Sequence, residues 1–213
     1  MLKTNKPTAE FELNHEAIKK DSKNNYDSYL KIKSWFDKKQ LRQKEINMFH
    51  PGSGNDIVSP LLIYDAIVSS NKVLNMVCID TRDFSDGIIL HLKKYTKDPI
   101  IKKVERKGKQ IVQVAYKDKQ FNIIFYTAPF GYIFPSELVE NIDIYYERGF
   151  EMFRSNDYMA MYKVYANIKK LGLMITDHSF YFGSHANKFK RIKGLPKQFG
   201  FYENFQIWQR TND

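Results

Sequence analysis

The chain has 213 residues, of which 43% are apolar and 15% aromatic. This content can bury one sizeable core, whereas a disordered chain would be poorer in both classes. The single cysteine, Cys78, excludes a disulfide-stapled secreted scaffold, and we expect it to be a buried free thiol. The N-terminus lacks the apolar stretch of a signal peptide, and no apolar run approaches the roughly 20 residues that a membrane span needs, so we expect a cytoplasmic protein.

The first 45 residues are polar and rich in lysine, and they predict a helical N-terminal segment (1–45) that packs on the domain after it. The apolar residues that recur there at near-helical spacing are Tyr26, Tyr29, Leu30, Ile32, Trp35 and Phe36. From Ile46 onwards short apolar runs alternate with helical stretches, which is typical of a mainly parallel sheet with crossover helices. We therefore expect one α/β domain over residues 46–213.

The first strand of this domain is predicted at 46–49, and the loop from His50 to Asp56 follows it. Two runs of alternating apolar residues, 111–116 and 121–126, are separated by a polar turn and predict an inserted β-hairpin. The other predicted elements, in chain order, are a helix at 57–70, a strand at 73–79, a helix at 85–95, a strand at 142–146, a helix at 156–170 that ends at Gly172 as a left-handed position, a strand at 173–176 and a closing strand within 201–210.

The loop after the first strand has the pattern of a ligand-binding loop. Gly52 and Gly54 flank Ser53 directly after a strand and directly before a helix. Glycine lets the backbone turn tightly and approach a ligand closely. The start of the helix offers unpaired N–H groups that favour a negative or polar ligand group. The sequence from Pro51 to Gly54 is also typical of an ordinary turn.

Asp80, at the end of the next strand, strengthens the ligand hypothesis. In open parallel sheets ligands lie outside the carboxyl ends of the strands, where an acidic residue can take both hydroxyls of a ribose. The alternative is that Asp80 caps the following helix, since Thr81 and Asp83 are also nearby.

Other ligand classes fit the loop less well. No Gly-Lys-Ser/Thr follows it, which excludes a P-loop, and Asp56 stands near the place of the third glycine of a nicotinamide fingerprint. The five histidines show no close ligand spacing, so we expect no metal site.

The ordered runs 46–54, 77–80, 142–147 and 168–177 resemble the motifs of class I S-adenosylmethionine-dependent methyltransferases. The resemblance implies a divergent member with a Rossmann-like sheet, helices on both faces and an antiparallel closing strand. It also implies S-adenosylmethionine as cofactor, and a small-molecule substrate or nucleic acid as the methyl acceptor. The chain departs from the family at His50, where an acidic residue is frequent, and at Asp56, where a third glycine is frequent.

The resemblance also implies roles for particular residues. Gly52, Ser53 and Gly54 would approach the methionine part of the cofactor, Asp80 would bind the ribose, and the end of a sheet strand would border the adenine. The full predicted cofactor set is Pro51, Gly52, Ser53, Gly54, Asp56, Asp80, Thr81, Thr127 and Ala128. The predicted catalytic candidates, which follow the fourth and fifth strands, are Tyr146, Glu147 and His178. Two alternatives remain: Glu147 and Arg148 can equally form a structural ion pair, and His178 can be a surface or capping residue.

Three functional hypotheses follow. The first is an active methyltransferase whose acceptor is unknown, and the second is a methyltransferase-like fold that binds another metabolite without catalysis. The third is a basic nucleic-acid-binding protein, because the net charge of +10 favours an anionic partner. The basic runs 102–109 and 188–193 equally suit solvated rims, since no RNA-binding motif accompanies them. The sequence indicates neither the methyl acceptor nor the oligomeric state.

Overall fold

The structure is a computed structural model that describes residues 12–36, 41, 43–68, 73–97, 99–106, 109–116, 119–127, 140–148, 164–177, 183–199 and 204–211. Its elements in chain order are β1 (Glu12–Leu13), α1 (His15–Asp21), α2 (Lys23–Phe36), β2 (Glu45–Pro51), α3 (Val58–Ile67), β3 (Val73–Asp80), α4 (Ser85–Tyr95), β4 (Thr96–Lys97), β5 (Ile100–Arg106), β6 (Lys109–Tyr116), β7 (Lys119–Thr127), β8 (Ile142–Tyr146), β9 (Ile168–Thr176), β10 (Phe189–Arg191) and β11 (Gln206–Arg210). Residues 164–167 are helical, and a 3-10 helix covers Gly183–Lys188.

Nine of these strands form one sheet in the order β10-β11-β9-β8-β2-β3-β7-β6-β5. The central strands β9, β8, β2, β3 and β7 are parallel to their neighbours among them, and β11 runs antiparallel beside β9. From β2 the chain first builds the sheet on the side of β3 and then returns to build the side of β8. The sheet confirms the expected α/β class and the expected antiparallel closing strand.

The two faces of the sheet bury different sets of side chains, because successive residues of a strand point to opposite faces. Met48 and Met76 lie in the larger core, which also contains residues of α1, α2, α3 and α4. Phe49 and Tyr145 lie in a second core on the other face, together with Val164 and Tyr165 of the helical residues 164–167. Helices therefore cover both faces, as expected for a mainly parallel sheet.

The N-terminal helices share their core with the sheet. Tyr29, Ile32 and Phe36 of α2 are buried at helical spacing. The Tyr29 hydroxyl donates to Asp65 Oδ2 of α3 at 2.7 Å, and Lys33 Nζ lies 2.8 Å from the same oxygen. Burial by itself would raise the pKa of Asp65, but the hydrogen bonds from Lys33 and Tyr29 hold this pKa below its usual range. The helix α2 of the predicted N-terminal segment is thus bound to α3.

The predicted hairpin is present, and the structure adds a strand to it. The runs 111–116 and 121–126 lie in β6 and β7, which pair antiparallel. β7 also pairs parallel with β3, so the inserted strands are β5 and β6. The pattern missed β5 as a strand because charged residues such as Lys102 and Lys103 dominate it. Charged residues are frequent on edge strands, where they hinder pairing with another chain.

The helix predicted through residue 170 is wrong at its end. Residues 168–170 belong to β9, and residues 156–163 lie outside the described part of the chain. The left-handed residue is Leu171, with φ of 65°, and Gly172 does not adopt a positive φ. Gly172 is needed for space, since a Cβ there would lie 2.8 Å from the Lys169 carbonyl oxygen and 3.1 Å from that of Ile142. The pairing of β8 with β9 shifts register at this point.

Candidate functional site

The loop after β2 turns on two glycines in the left-handed region, Gly52 with φ of 60° and Gly54 with φ of 50°. Residues other than glycine rarely adopt this conformation. The Gly52 N–H donates to the Ile79 carbonyl oxygen, and the Gly54 N–H donates to Asp80 Oδ2, both at 2.8 Å. A Cβ on Gly54 would meet no atom within 4 Å. The loop is therefore tied to the end of β3 and open at Gly54.

Asp80 is the last residue of β3 and is half-buried. Its second oxygen, Oδ1, accepts the Thr81 N–H at 2.7 Å. At the start of α4, Asp83 Oδ1 accepts the Ser85 N–H at 2.8 Å. The alternative that Asp80 caps this helix is therefore wrong. Asp80 Oδ1 also accepts the Thr81 hydroxyl at 3.3 Å. A carboxylate has about four acceptor sites, so Asp80 keeps about one of them for a hydroxyl group of a ligand.

A glycine in α4 allows the helix to approach the loop closely. A Cβ on Gly87 would lie 2.0 Å from Asn55 Oδ1. One turn further on, His91 Nδ1 lies 2.7 Å from the Asn55 carbonyl oxygen. The sequence did not predict either contact, because a single glycine inside a helix does not show which residue packs against it.

Asp56, at the position where a third glycine is frequent in the methyltransferase family, stabilises the start of α3. Its Oδ1 accepts the Ser59 N–H of α3 at 3.1 Å, and its Oδ2 lies 3.5 Å from Arg148 Nη1. A carboxylate in this place satisfies an unpaired N–H and the positive end of the helix dipole. The start of α3, expected to be available to a ligand, is therefore occupied by the protein's own Asp56.

Arg148 links three separate segments just after β8. Its Nη1 donates to Ser59 Oγ at 2.6 Å, and its Nη2 donates to the Phe199 carbonyl oxygen at 3.1 Å and to Asn25 Oδ1 of α2 at 3.5 Å. The guanidinium also lies 5.5 Å from the centre of the Phe199 ring. The sequence did not predict these links.

His50 lies beneath the loop, and its ring connects the loop to β8. Nδ1 is 3.1 Å from the Tyr146 carbonyl oxygen, and Nε2 is 3.1 Å from the Asp56 carbonyl oxygen. The side chain is 1% exposed, and the ring packs edge-on against Tyr146. Burial lowers the pKa of His50, and the nearby carboxylates of Asp56 and Asp80 offset only part of this effect.

Most of the predicted cofactor residues meet at one edge of the sheet, the carboxyl edge, where the parallel strands end. Thr127 ends β7, pairs in register with Asp80 and is exposed. Pro51 ends β2, and Ser53 is buried against Cys78. Burial raises the pKa of this thiol, and Cys78 is the expected buried free cysteine. Ala128 lies outside the described residues.

Two of the predicted catalytic residues are buried just below this edge, and the third, His178, lies outside the described residues. Tyr146 is 1% exposed, and burial raises the pKa of its hydroxyl strongly. Glu147 is equally buried and accepts hydrogen bonds from the hydroxyls of Tyr145 and Thr176.

A cleft of about 320 Å³ lies at the opposite edge, near the starts of β8 and β9. The residues that line it are Glu140, Asn141, Ala166, Asn167, Ile168, Lys169, Lys170 and Arg210. It is remote from the loop of Gly52 and Gly54, and none of the predicted site residues lines it. Among the described residues no three His, Cys, Asp or Glu side chains are grouped to hold a metal ion. No described helix is long and apolar enough to cross a membrane.

No protein-family model matches the sequence, and no curated protein matches it. Among solved structures, a provisionally assigned class I S-adenosylmethionine-dependent methyltransferase from Listeria monocytogenes is 10% identical with a TM-score of 0.43, over 90% of this chain and 60% of that one. A SAM-dependent methyltransferase from Aquifex aeolicus is 11% identical with a TM-score of 0.46, over 94% and 100%. A provisionally assigned one from Methanococcus maripaludis is 12% identical with a TM-score of 0.46, over 100% and 98%.

This chain spans 60% of the length of the Listeria protein. At such identities and TM-scores the comparisons identify no residue of the site.

Proposed function

We propose that the chain binds S-adenosylmethionine at the carboxyl edge of β2 and β3 and is a methyltransferase whose acceptor is still to be identified. The observation that carries the proposal is the loop itself. Its Gly54 is left-handed, bound through its N–H to Asp80 and free of neighbours where a side chain would be. This arrangement leaves room for a ligand directly beside a carboxylate.

The position of the loop in the sheet supports the proposal. In open α/β sheets ligands bind outside the carboxyl ends of the strands, at the point where the strand order changes direction. Here that point is β2, which lies between β3 and β8. The loop of Gly52 and Gly54 follows this strand directly.

In the proposed complex each cofactor part has its own protein partner. Pro51, Gly52, Ser53 and Gly54 approach the methionine part, Asp80 with Thr81 takes the ribose hydroxyls, and Thr127 with Ala128 borders the adenine. Asp56 contributes indirectly, because it fixes the start of α3 beneath the loop. The cofactor supplies an activated methyl group, and the chain has to hold the acceptor in line with it at near-attack distance.

For an acceptor that must lose a proton, we propose Glu147 as the base. A tyrosine hydroxyl is already protonated at neutral pH, and burial raises the pKa of Tyr146 further, so Tyr146 does not serve as the base. Glu147 directly follows β8, and its two oxygens accept the hydroxyl groups of Tyr145 and Thr176, one of which an acceptor would replace. His178 stays a second candidate beside it. Replacement of Glu147 by Gln should lower the rate of methyl transfer without weakening cofactor binding.

A non-catalytic binding fold is the second candidate, and a specific observation favours it. The crevice between the ends of β2 and β8 is bridged by the pair of Arg148 with Asp56 and by the ring of His50. An acceptor would have to enter beside these bridges. A ligand bound only through the loop and Asp80 would not have to.

Thermal unfolding with S-adenosylmethionine and with S-adenosylhomocysteine tests the proposal. A ligand at 100 times its dissociation constant should add about 2.7 kcal/mol to the stability of the folded chain. Gly54→Val and Asp80→Ala should abolish this stabilisation. Gly194→Val is the matched control, because Gly194 also has a positive φ, of 85°, but lies against Trp35.

The absence of any shift at millimolar ligand would contradict the proposal. A shift without methyl transfer to any acceptor would favour the non-catalytic fold. Nucleic-acid binding that weakens steeply with salt, without a shift by either ligand, would favour the third hypothesis.

A further inference from the structure

Both ring nitrogens of His50 face hydrogen-bond acceptors. Nδ1 and Nε2 are each 3.1 Å from a main-chain carbonyl oxygen, that of Tyr146 and that of Asp56. A neutral imidazole has one N–H donor and one lone pair. Only one of the two contacts can therefore be a hydrogen bond at a time, unless the ring takes up a second proton.

The surroundings of His50 favour the neutral ring. The groups that face it are Asp56 of the loop, Asp80 and Cys78 of β3, and the Tyr146 ring of β8, while Arg148 reaches it only through Asp56. Burial is the largest influence and lowers the pKa of His50 below its usual 6.5, although the two carboxylates act in the opposite direction. At neutral pH the single ring proton has to be shared between two acceptors.

We infer that His50 is a positioning residue for the cofactor loop, which it holds through Nε2–H to the Asp56 carbonyl oxygen and releases when the proton moves to Nδ1. In the released tautomer the ring bonds to β8 through the Tyr146 carbonyl oxygen. The role in cofactor binding rests on the proposed function, whereas the exchange between the two partners depends only on the contacts of the ring.

This role differs from that of the acidic residue that the methyltransferase resemblance led us to consider at position 50. A carboxylate can only accept hydrogen bonds at neutral pH, and both neighbours of His50 in this chain are carbonyl acceptors. His50 therefore acts as a donor, and it can serve only one side at once. An ionised acid in its place would donate to neither carbonyl group.

Two substitutions separate the two nitrogens. The side-chain amide nitrogen of Gln is placed like Nε2, and that of Asn is placed like Nδ1. We expect His50→Gln to keep the affinity for S-adenosylhomocysteine within about threefold and His50→Asn to lower it about tenfold, in line with the loss of one hydrogen bond. Equal affinity of the two variants, at similar thermal stability, would overturn the inference.

Nitrogen-15 NMR of the His50 ring gives a second readout, which a purely structural role would not move. In the wild-type protein, S-adenosylhomocysteine should increase the fraction of the tautomer with hydrogen on Nε2. A tautomer ratio that the ligand leaves unchanged would contradict the inference.

Hydrogen exchange tests His50 without any cofactor. The Gly54 N–H, which is bound to Asp80, should exchange about tenfold faster in His50→Asn than in His50→Gln, because the loop opens more often once its bond at Asp56 is lost. Equal rates would overturn the inference. If S-adenosylhomocysteine fails to bind the wild-type protein, the proposed function fails, and this exchange experiment still decides the role of His50.

His91 supplies a matched comparison on the other side of the loop. It reaches the Asn55 carbonyl oxygen through Nδ1 at 2.7 Å. The order should be reversed here, so that His91→Asn protects the Gly54 N–H better than His91→Gln does. The same order at both positions would mean that side-chain size, rather than donor position, controls the loop, and the inference would be wrong.

Discussion

The two edges of the parallel sheet are held by different kinds of hydrogen bond. At the carboxyl edge, single groups such as Asp80 and Arg148 bind the loop and helix starts of other elements. Nearer the opposite edge, a row of amide side chains crosses four strands. Asn75 Nδ2 donates to Asn47 Oδ1 at 3.2 Å, Asn122 Nδ2 donates to Asn75 Oδ1 at 2.9 Å, and Gln113 Nε2 donates to Asn122 Oδ1 at 3.3 Å.

The amide row (Asn47, Asn75, Asn122 and Gln113) follows the register of the sheet. Asn47 pairs with Asn75, Asn75 with Asn122, and Gln113 with Asn122. A slip of one strand by one residue would turn its amide side chain to the other face and break the bonds that this side chain makes in the row. The comparison suggests that the amide row sets the pairing of the strands, while the carboxyl edge sets the position of the loop. Substitutions at the two edges should then have separable effects.

The largest effect is expected for Arg148→Ala. It removes hydrogen bonds to Ser59, Asn25 and Phe199 and leaves Asp56 without its cation. We expect a loss of about 2–3 kcal/mol, since hydrogen bonds to charged groups are worth about 1.5–3 kcal/mol and Asp56 is partly solvated. Affinity for S-adenosylhomocysteine should fall as well. Urea unfolding and calorimetric titration measure the two effects.

Arg148→Lys is the matched control for this substitution. It keeps the charge near Asp56 but cannot reproduce the planar fork that reaches Ser59 and Phe199 together. We expect an intermediate loss of stability. If Arg148→Ala lowered stability by less than about 0.5 kcal/mol, the value usual for surface sites, Arg148 would not hold the carboxyl edge together.

A smaller effect, confined to stability, is expected for Asn75→Ala in the amide row. Asn47 and Asn122 would each lose a partner, at a cost of about 1–2 kcal/mol. Affinity for S-adenosylhomocysteine should not change, because the row lies away from the loop. Glu45→Ala removes only the exposed partner of Asn75 and should stay within about 0.5 kcal/mol of the wild type. A change in ligand affinity in Asn75→Ala would break the distinction between the two edges.

The smallest effects are expected at the irregular start of β9, where two neighbours should respond in opposite directions. Leu171→Gly should stabilise the chain by about 1 kcal/mol, since a left-handed conformation costs a residue other than glycine about 1–2 kcal/mol. Gly172→Ala should destabilise it by about 1 kcal/mol, because the added methyl meets the Lys169 carbonyl oxygen. Thermal unfolding of both variants tests this. A stabilising Gly172→Ala would mean that this part of the backbone can adjust.

The sequence predicted the elements whose signals are local. The apolar runs of β2, β3 and β8 and the glycines of the loop each lie within a few residues, and their order gave the α/β class. The edge strand β5 was not predicted, because its charged residues interrupt the alternation of apolar and polar residues that is typical of a strand. The left-handed conformation of Leu171 was not predicted, because glycine is the usual left-handed residue. The tight packing at Gly172 was not predicted either, because it depends on the carbonyl group of Ile142 in another strand.

The parts of the site that the sequence did not predict are contacts between residues far apart in the chain. His50 meets Tyr146, and Arg148 meets Asp56 and Asn25, only after the strands have paired. Nothing in one sequence marks such pairs, because each residue alone has an ordinary local explanation. The position of Asp80 beside the loop was accessible to prediction, because the ends of parallel strands lie at the same edge of a sheet.

The lysines of the edge strand β5 have a second effect, which does not involve nucleic acid: they hinder association of this edge with another chain. It ends the sheet, and residues 102–105 are exposed, including the apolar Val104. An exposed edge of unpaired N–H and C=O groups is a template for a second chain to extend the sheet. Lys102 places a repelling charge there, whereas Lys103 Nζ is paired with Asp86 of α4 at 2.7 Å. A change of Lys102 to threonine should therefore favour association through the edge and aggregation, while Lys103→Thr removes an ion pair as well.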